Sequence, residues 1–234
     1  NNARLGGGAK VQPGGRFDDG AYLDGDWDVV SVGKDASLSP SGQITFEAWV
    51  KPLRLEGTQQ ILSKHILKAP WYQYHLQIRP DGKVIAGVTT PKKHLSGESD
   101  EPLVAGEWVH LAGAYDGKSL RLYVNGKVQS RPVEGDGPIV DGGGALEIGR
   151  WGGSNYWFQG WIDEVRVSAV DRYASLPAAA KTATEQAAAP AKGAAPAAED
   201  RAHLVLKKTA APPKIDGVVD LAGGEWKDAV HRQV

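Results

Sequence analysis

The chain has 234 residues, of which 41% are hydrophobic and 24% charged, a balance typical of a globular protein with a buried core. Its 27 basic and 28 acidic residues give a formal net charge of −1, which favours neither a nucleic acid nor an anionic membrane as partner. Cysteine is absent, which excludes disulfides and zinc–thiolate sites, and no apolar run is long enough to span a membrane. Methionine is also absent, so we expect a processed chain or a piece of a longer protein.

The N-terminal two thirds of the chain are organised around short strand-like segments. Residues 1–15 are rich in glycine and lack apolar periodicity, so we expect a flexible lead-in there. Further along, QITFEAWVKP and YQYHLQI alternate with the period of a half-buried strand. In SLRLYVNGKVQS, the pair Asn125-Gly126 suits a type I′ hairpin turn. About ten such strands without an amphipathic helix predict an all-β fold, a β-sandwich or jelly roll, over residues 16–173.

The composition changes after residue 173. Alanine fills 13 of the 27 positions in 174–200, and prolines interrupt any helix that alanine would favour. This composition predicts a disordered Ala/Pro-rich linker. Residues 201–234 regain strand-like and turn-forming segments, which predicts the truncated start of a second β domain.

Four motifs connect the chain to a known family. YLDGDWDVVSV, FEAWVKP, GEWVHLAGAYDGKSLRLYVNGK and FQGWIDEVRVS occur in this order, and together they resemble the laminin-G-like, concanavalin A-like jelly-roll domains of secreted bacterial proteins. The resemblance covers 16–170 and implies a sandwich of two antiparallel sheets. APPKIDGVVDLAGGEWKDA, at 211–229, resembles the first strands of family-nine-type carbohydrate-binding modules. Both resemblances imply a multidomain exported protein that is extracellular, on the cell surface or periplasmic.

The acidic pair in FQGWIDEVRVS raises the question of catalysis, because concanavalin A-like folds also include glycoside hydrolases. A retaining glycosidase needs two carboxyl groups about 5–5.5 Å apart that face the sugar. Asp163 and Glu164 are neighbours, so they point to opposite faces of a strand and cannot form that pair. The Glu-x-Asp-x-x-Glu spacing of laminarinase-like enzymes is also missing. We therefore expect no enzymatic activity.

Asp163 itself requires an explanation. Strict alternation places it in an apolar row with Val165, and places Glu164 beside Arg166 on the opposite, solvated face. A buried carboxylate needs hydrogen bonds, for example from turn amides, or a metal ion. The family resemblance implies the second solution, a structural calcium ion held between the last and first strands. Asp24, in an acidic N-terminal cluster, is the expected partner of Asp163.

Two stretches have the composition of a sugar site, in which aromatic platforms lie beside planar polar groups. In residues 71–79, strict alternation places a polar row on one face beside a tryptophan, although a merely solvated sheet face would look similar. In RWGGSNYWFQGW, residues 150–161, two aromatics flank a glycine-containing turn, and we expect others to fill the core. The candidate ligand-binding residues are Trp71, Gln73, His75, Gln77, Arg79, Trp151 and Tyr156.

These observations predict a non-catalytic carbohydrate-binding or adhesion module of a larger exported protein, stabilised by one structural calcium ion. Its expected partner is a polysaccharide or another glycan. One alternative is a structural or protein-interaction spacer beside a catalytic domain elsewhere in the parent chain. A less favoured alternative is a glycoside hydrolase of the concanavalin A-like fold.

Overall fold

The computed structural model describes residues 3–66, 69, 71–152 and 156–174, except for the side chain of Ser130. Most of the predicted linker at 174–200 and all of the predicted second domain at 201–234 lie outside these described residues. The segment that resembles a family-nine-type module therefore lies outside them as well.

The described residues form short strands and one 3₁₀ turn, Ala36–Leu38. The strands are β1 (Arg4–Gly6), β2 (Lys10–Pro13), β3 (Asp19–Asp24), β4 (Val29–Gly33), β5 (Ile44–Pro52), β6 (Gln59–Ile66), β7 (Tyr72–Ile78), β8 (Val84–Thr89), β9 (His94–Glu98), β10 (Val109–Tyr115), β11 (Ser119–Val124), β12 (Lys127–Glu134), β13 (Gly143–Ile148) and β14 (Gln159–Ser168).

The strands form two antiparallel sheets packed face to face. The first sheet has the order β1-β4-β13-β6-β7-β8-β9, and the second has the order β12-β11-β10-β5-β14-β3-β2. Apolar side chains from both sheets fill one core between them. Within it, Phe46 of the second sheet stacks on Tyr74 of the first, with ring centroids 5.2 Å apart. The predicted jelly-roll sandwich of two antiparallel sheets is confirmed.

Residues 4–6 and 10–13 belong to the sandwich, so the prediction of a flexible lead-in at 1–15 is wrong for them, and residues 1 and 2 lie outside the described residues. β1 pairs with β4, and β2 pairs with β3. Leu5 and Val11, one from each of these strands, pack against the core. The strands are only three and four residues long and lie at sheet edges, which is too short for a period of two to show in the sequence.

A β-bulge interrupts the alternation of β14. The register of β14 against β5 shifts between Asp163 and Arg166, and Glu164 has a left-handed backbone with φ of 48°. Because of this extra residue, Val165 points into the core whereas Asp163 and Arg166 both lie on the outer face. The prediction that Asp163 shares a face with Val165 is therefore wrong.

A second bulge lies where β7 pairs with β6, and Gln73 is its extra residue. Gln73 accepts a hydrogen bond from the Ser39 hydroxyl (3.3 Å), next to the 3₁₀ turn whose last carbonyl accepts from the Tyr74 hydroxyl (2.9 Å). The bulge thus turns Gln73 toward the same end of the sandwich as Tyr74 and leaves the Tyr72 ring against His75. The predicted polar row from 71 to 79 is interrupted at this point.

Candidate functional site

A row of facing residues crosses the outer face of the first sheet. Each member pairs with the next across adjacent strands from β4 to β9, and their chain neighbours point into the core. His75, in the middle, is only 4% exposed although it lies on an outer face, so other side chains cover it. The members, in order across the sheet, are Ser31, Glu147, Ser63, His75, Gly87 and Ser96.

Five rings, which we call the aromatic row, lie over the middle of this face. Tyr72 stacks on His75 with ring centroids 4.3 Å apart, and His75 stacks on His94 at 5.4 Å. On its other side, Tyr72 contacts Trp151 at 5.6 Å, and Trp151 stacks on Tyr156 at 5.7 Å. Tyr72, Trp151 and Tyr156 are half-buried, so part of each ring remains open to solvent.

Hydrogen bonds fix the histidine end of the aromatic row. The Thr89 hydroxyl donates to the Tyr72 carbonyl (2.5 Å), so it accepts from Nδ1 of His94 (2.8 Å). Nε2 of His94 then faces Nε2 of His75 at 3.4 Å. A Cβ atom on Gly87 would lie 2.1 Å from Nε2 of His75, so glycine leaves the space for this imidazole.

Burial determines the charge of the two histidines. Desolvation, with a smaller contribution from His94, lowers the pKa of His75 to about 3. Burial lowers the pKa of His94 as well. At neutral pH both imidazoles are therefore uncharged members of a stacked row.

A carboxylate with two polar partners lies at the other end of the site. Glu147 Oε2 is 3.5 Å from Nε2 of His65, and the Arg150 guanidinium donates to both Glu147 oxygens at 3.4 Å. The Ser63 hydroxyl lies 3.2 Å from the same His65 nitrogen. Burial raises the pKa of Glu147, but the hydrogen bonds from His65 and Arg150 outweigh it and bring the pKa below its ordinary value. Of these groups, Glu147 and Arg150 lie close before Trp151 in the chain.

The structure brings three of the predicted ligand-binding residues together, His75, Trp151 and Tyr156, all in the aromatic row. Gln73 is turned toward the 3₁₀ turn, and its buried Nε2 has no hydrogen-bond partner within the described residues. Gln77 is half-buried and pairs with Ile85, and it lies two residues beyond His75 along β7.

The two ends of the 71–79 stretch lie apart from the aromatic row. Trp71 is 48% exposed and has a positive φ of 78°, which turns the chain sharply before β7. Arg79, beyond the end of β7, donates to Glu98 (2.7 Å) and lies 3.7 Å from Asp81. The residues of this stretch therefore lie in several different environments and not on the single face that the sequence predicts.

Sequence reasoning missed residues that complete the site. Strict alternation places Tyr72 on the face opposite His75, because the bulge at Gln73 does not show in the sequence. His94 lies in the polar stretch PKKHLSGESDEP, which indicates no site, yet it is hydrogen-bonded to Thr89. Glu147 carried only a weak signal, the three-residue spacing to Arg150.

Backbone amides hold Asp163. Its Oδ2 accepts from the amides of Arg16 (2.8 Å) and Phe17 (3.3 Å), and its Oδ1 accepts from the amide of Glu164 (2.8 Å). Of the two solutions that the sequence left open for Asp163, hydrogen bonds or a metal ion, the structure shows hydrogen bonds.

Asp24 does not reach Asp163. In the β3–β14 register Asp24 faces Gln159, four residues before Asp163, which separates the two aspartates by about 13 Å along the strand. Ligands of one calcium ion each lie about 2.3–2.6 Å from it, so the prediction of an ion shared by Asp24 and Asp163 is wrong.

Asp28 is the carboxylate that neighbours Asp24. It accepts hydrogen bonds from the backbone amides of Asp24 (2.6 Å) and Gly8. Burial raises the pKa of Asp28, and the Asp24 carboxylate adds to this rise. Within the described part of the chain, no three His, Asp or Glu side chains gather as a metal-binding cluster.

The fold and site define a class: a concanavalin A-like jelly roll with aromatic and polar side chains gathered on one outer sheet face. The chain belongs to the concanavalin A-like lectin/glucanases superfamily, because the laminin G-type model of this superfamily matches residues 24–174. No curated protein sequence matches it significantly. No helix within the described ranges is long and apolar enough to cross a membrane.

Several solved structures share the fold. Domain 4 of AbnA, a GH43 extracellular arabinanase from Geobacillus stearothermophilus solved with arabinotriose, is similar at a TM-score of 0.54 and 21% identity, over 71% of this chain and 80% of that one. The binding domain of Paraclostridial Mosquitocidal Protein 1 is similar at 0.60 and 15% identity, over 73% and 44%. The botulinum neurotoxin serotype G binding domain is similar at 0.56 and 12% identity, over 73% and 43%. These likenesses establish the fold alone.

Proposed function

We propose that this domain is a non-catalytic carbohydrate-binding module of a larger exported protein, and that it binds a glycan on the outer face of the first sheet. The observation that carries the proposal is the aromatic row, whose half-open rings lie beside the planar polar groups of Glu147 and Arg150. Its location would be extracellular, cell-surface or periplasmic, as for the extracellular arabinanase whose domain shares this fold.

The chemistry of sugars supports this site. A sugar ring presents an apolar C–H face that packs on an aromatic ring, and hydroxyls around its edge that need hydrogen-bond partners. Trp151 and Tyr72 supply the aromatic surface. Glu147 supplies an acceptor and Arg150 a donor next to it, both already oriented by their mutual hydrogen bonds.

The ionisation of Glu147 argues for binding rather than hydrolysis. A glycosidase needs a general acid that stays protonated, with its pKa raised by the site. Hydrogen bonds from His65 and Arg150 instead bring the pKa of Glu147 below its ordinary value. Glu147 is thus suited to accept hydrogen bonds from hydroxyls and poorly suited to protonate a leaving group.

The proposal is tested by titrating the chain with oligosaccharides in a calorimeter, beginning with arabino-oligosaccharides because the AbnA domain was solved with arabinotriose. Trp151→Ala should weaken binding about 10-fold or more, which corresponds to ~1.4 kcal/mol. Phe17→Ala is the matched control, since Phe17 is 51% exposed and contacts Trp49 of the second sheet. Equal loss in both variants, or no binding across a broad glycan panel, would favour the spacer alternative.

Calcium remains a separate proposal, and it is supported by the proximity of the Asp24 and Asp28 carboxylates to each other. A Cβ atom on Gly8 would lie 3.1 Å from Asp28 Oδ1 and 3.3 Å from Asp24 Oδ2, so both carboxylates border one small space. If calcium binds there, 1 mM CaCl₂ should raise the melting temperature relative to EDTA, and Asp24→Asn should abolish the rise. Identical melting curves in calcium and EDTA would refute the proposal.

A further inference from the structure

We propose that Trp27 and Trp157 form a second stacking subsite, so that the ligand is a glycan chain of several sugar units rather than one terminal sugar. The inference rests on the proposed carbohydrate-binding function. It concerns the end of the sandwich where the turn between β3 and β4 meets the segment before β14.

The backbone of Trp27 indicates a function for its side chain. Trp27 has a φ of 61°, in the left-handed region that a bulky residue rarely adopts, and its side chain is 62% exposed. Such a conformation costs on the order of 1 kcal/mol, and most of the indole surface lies in solvent, outside the core. Core packing therefore does not explain why a tryptophan occupies this turn.

Hydrogen bonds to a buried carboxylate fix the turn that carries Trp27. Asp28 accepts hydrogen bonds from the backbone amides of Asp24 and Gly8, which close the turn and connect it to the loop between β1 and β2. A Cβ atom on Gly7 would lie 2.4 Å from the Trp27 carbonyl oxygen, so the two loops are in close contact. The Trp27 ring is thus preorganised, which lowers the entropic cost of binding a ligand.

Trp157 joins this turn to the proposed glycan site. Its ring lies 5.0 Å from that of Trp27, at an interplanar angle of 39°. Tyr156, the preceding residue, belongs to the aromatic row, and Phe158, the following residue, is fully buried in the core. The Phe158 amide donates to the Gly149 carbonyl (2.8 Å), which anchors this three-residue segment. One fixed segment therefore carries the end of the aromatic row and half of the tryptophan pair.

The surroundings of Trp27 fit a polyhydroxylated ligand. Asp24 and Asp26, close to Trp27 in the same turn, are both exposed and offer carboxylate oxygens to hydroxyl donors. An aromatic face bordered by acceptors repeats the chemistry of the first site, where Trp151 lies near Glu147. A continuous glycan is the occupant that would use both surfaces, because one segment, residues 156–158, carries a ring of each pair and is anchored at Phe158.

The test is the dependence of affinity on glycan length, measured by calorimetry with the arabino-oligosaccharide series from the monosaccharide to the hexasaccharide. Wild-type affinity should rise with length and then level off as the second subsite fills. Trp27→Asn removes the ring but keeps a residue that tolerates the left-handed backbone, so the fold should be preserved. We expect this variant to bind the shortest ligand normally and to lose about 10-fold affinity for the longest.

The outcomes separate this inference from the proposed function. Trp151→Ala should weaken binding at every length, whereas Phe17→Ala should change none. If Trp27→Asn binds every length like the wild type while Trp151→Ala is impaired, the second subsite is refuted and the first site stands. If no member of the series binds the wild-type chain, both proposals fail. A melting temperature for Trp27→Asn equal to or above that of the wild type would confirm that the side chain is not there for stability.

Discussion

His75 shows how the fold changes the chemistry of a single residue. In an unfolded chain its imidazole would titrate near pH 6.5, whereas burial against Tyr72 and His94 lowers its pKa to about 3 in the folded protein. His94, next to it, also has a lowered pKa because of burial. The folded state therefore binds fewer protons than the unfolded state between these values.

This difference predicts a loss of stability in mild acid. The contribution of His75 is fully present above pH 6.5 and declines as the pH falls toward 3, because only the unfolded chain takes up the proton. At pH 5 the loss from His75 alone is ~2 kcal/mol, and His94 adds in the same direction. Urea unfolding at pH 7 and pH 5 measures the change.

The control for this pH dependence is His75→Gln, which cannot titrate. Its free energy of unfolding should fall less than that of the wild type between pH 7 and pH 5. If both proteins lose the same amount, His75 is not held neutral as the structure indicates.

A second stability prediction concerns the hydrogen bonds that Asp163 accepts. Asp163→Ala leaves the amides of Arg16, Phe17 and Glu164 without their carboxylate acceptor. Buried amides that lose a charged acceptor should cost about 2–4 kcal/mol of unfolding free energy. Asp163→Asn keeps one oxygen acceptor and should cost less. Chemical denaturation of both variants checks the order, and an alanine variant as stable as the wild type would contradict it.

At the scale of strands, the sequence predicted where strands lie but not which way every side chain points. QITFEAWVKP, which became β5, follows its period of two, so its inward row of Ile44, Phe46, Ala48 and Val50 was predictable. In β7 and β14, bulges add one residue and reverse the alternation beyond it. Neither bulge contains a glycine that would have marked it, because Gln73 and Glu164 occupy these positions.

The same bulges explain why the candidate site was predicted only in part. Trp151 and Tyr156 were found because aromatics beside glycines in a loop are typical of stacking platforms. Tyr72 was missed because it joins His75 only through the bulge at Gln73. The polar partner Glu147 lies 72 residues beyond His75 in the chain, and only the sheet order brings the two onto one transverse row.

At the scale of the whole molecule, the outer faces of the two sheets differ in how completely their polar groups are used. On the second sheet, Glu47 is surrounded by His110 (3.5 Å), Arg166 (3.9 Å), Arg172 (3.2 Å) and the Tyr173 hydroxyl (3.1 Å). Burial raises its pKa, but His110 and the two arginines outweigh burial and lower it overall. This network holds the segment after β14 against the sheet, which is a structural task.

The first sheet lacks such a covering segment over Trp151, Tyr72 and Tyr156 among the described residues, and these rings remain half open. The covering segment protects only part of the second sheet, because the Phe17 and Trp49 rings on that sheet also remain partly open. The reason for proposing the glycan site on the first sheet is that its half-open rings lie beside the planar polar groups of Glu147 and Arg150.

Nuclear magnetic resonance of the isotopically labelled chain during an oligosaccharide titration tests that location most directly. We predict shifts of the Trp151 indole N–H and of backbone amides around Tyr72 and His75, while the Trp49 indole on the second sheet stays unchanged. Shifts that cluster around Trp49 and Phe17, with the aromatic row unaffected, would contradict the account.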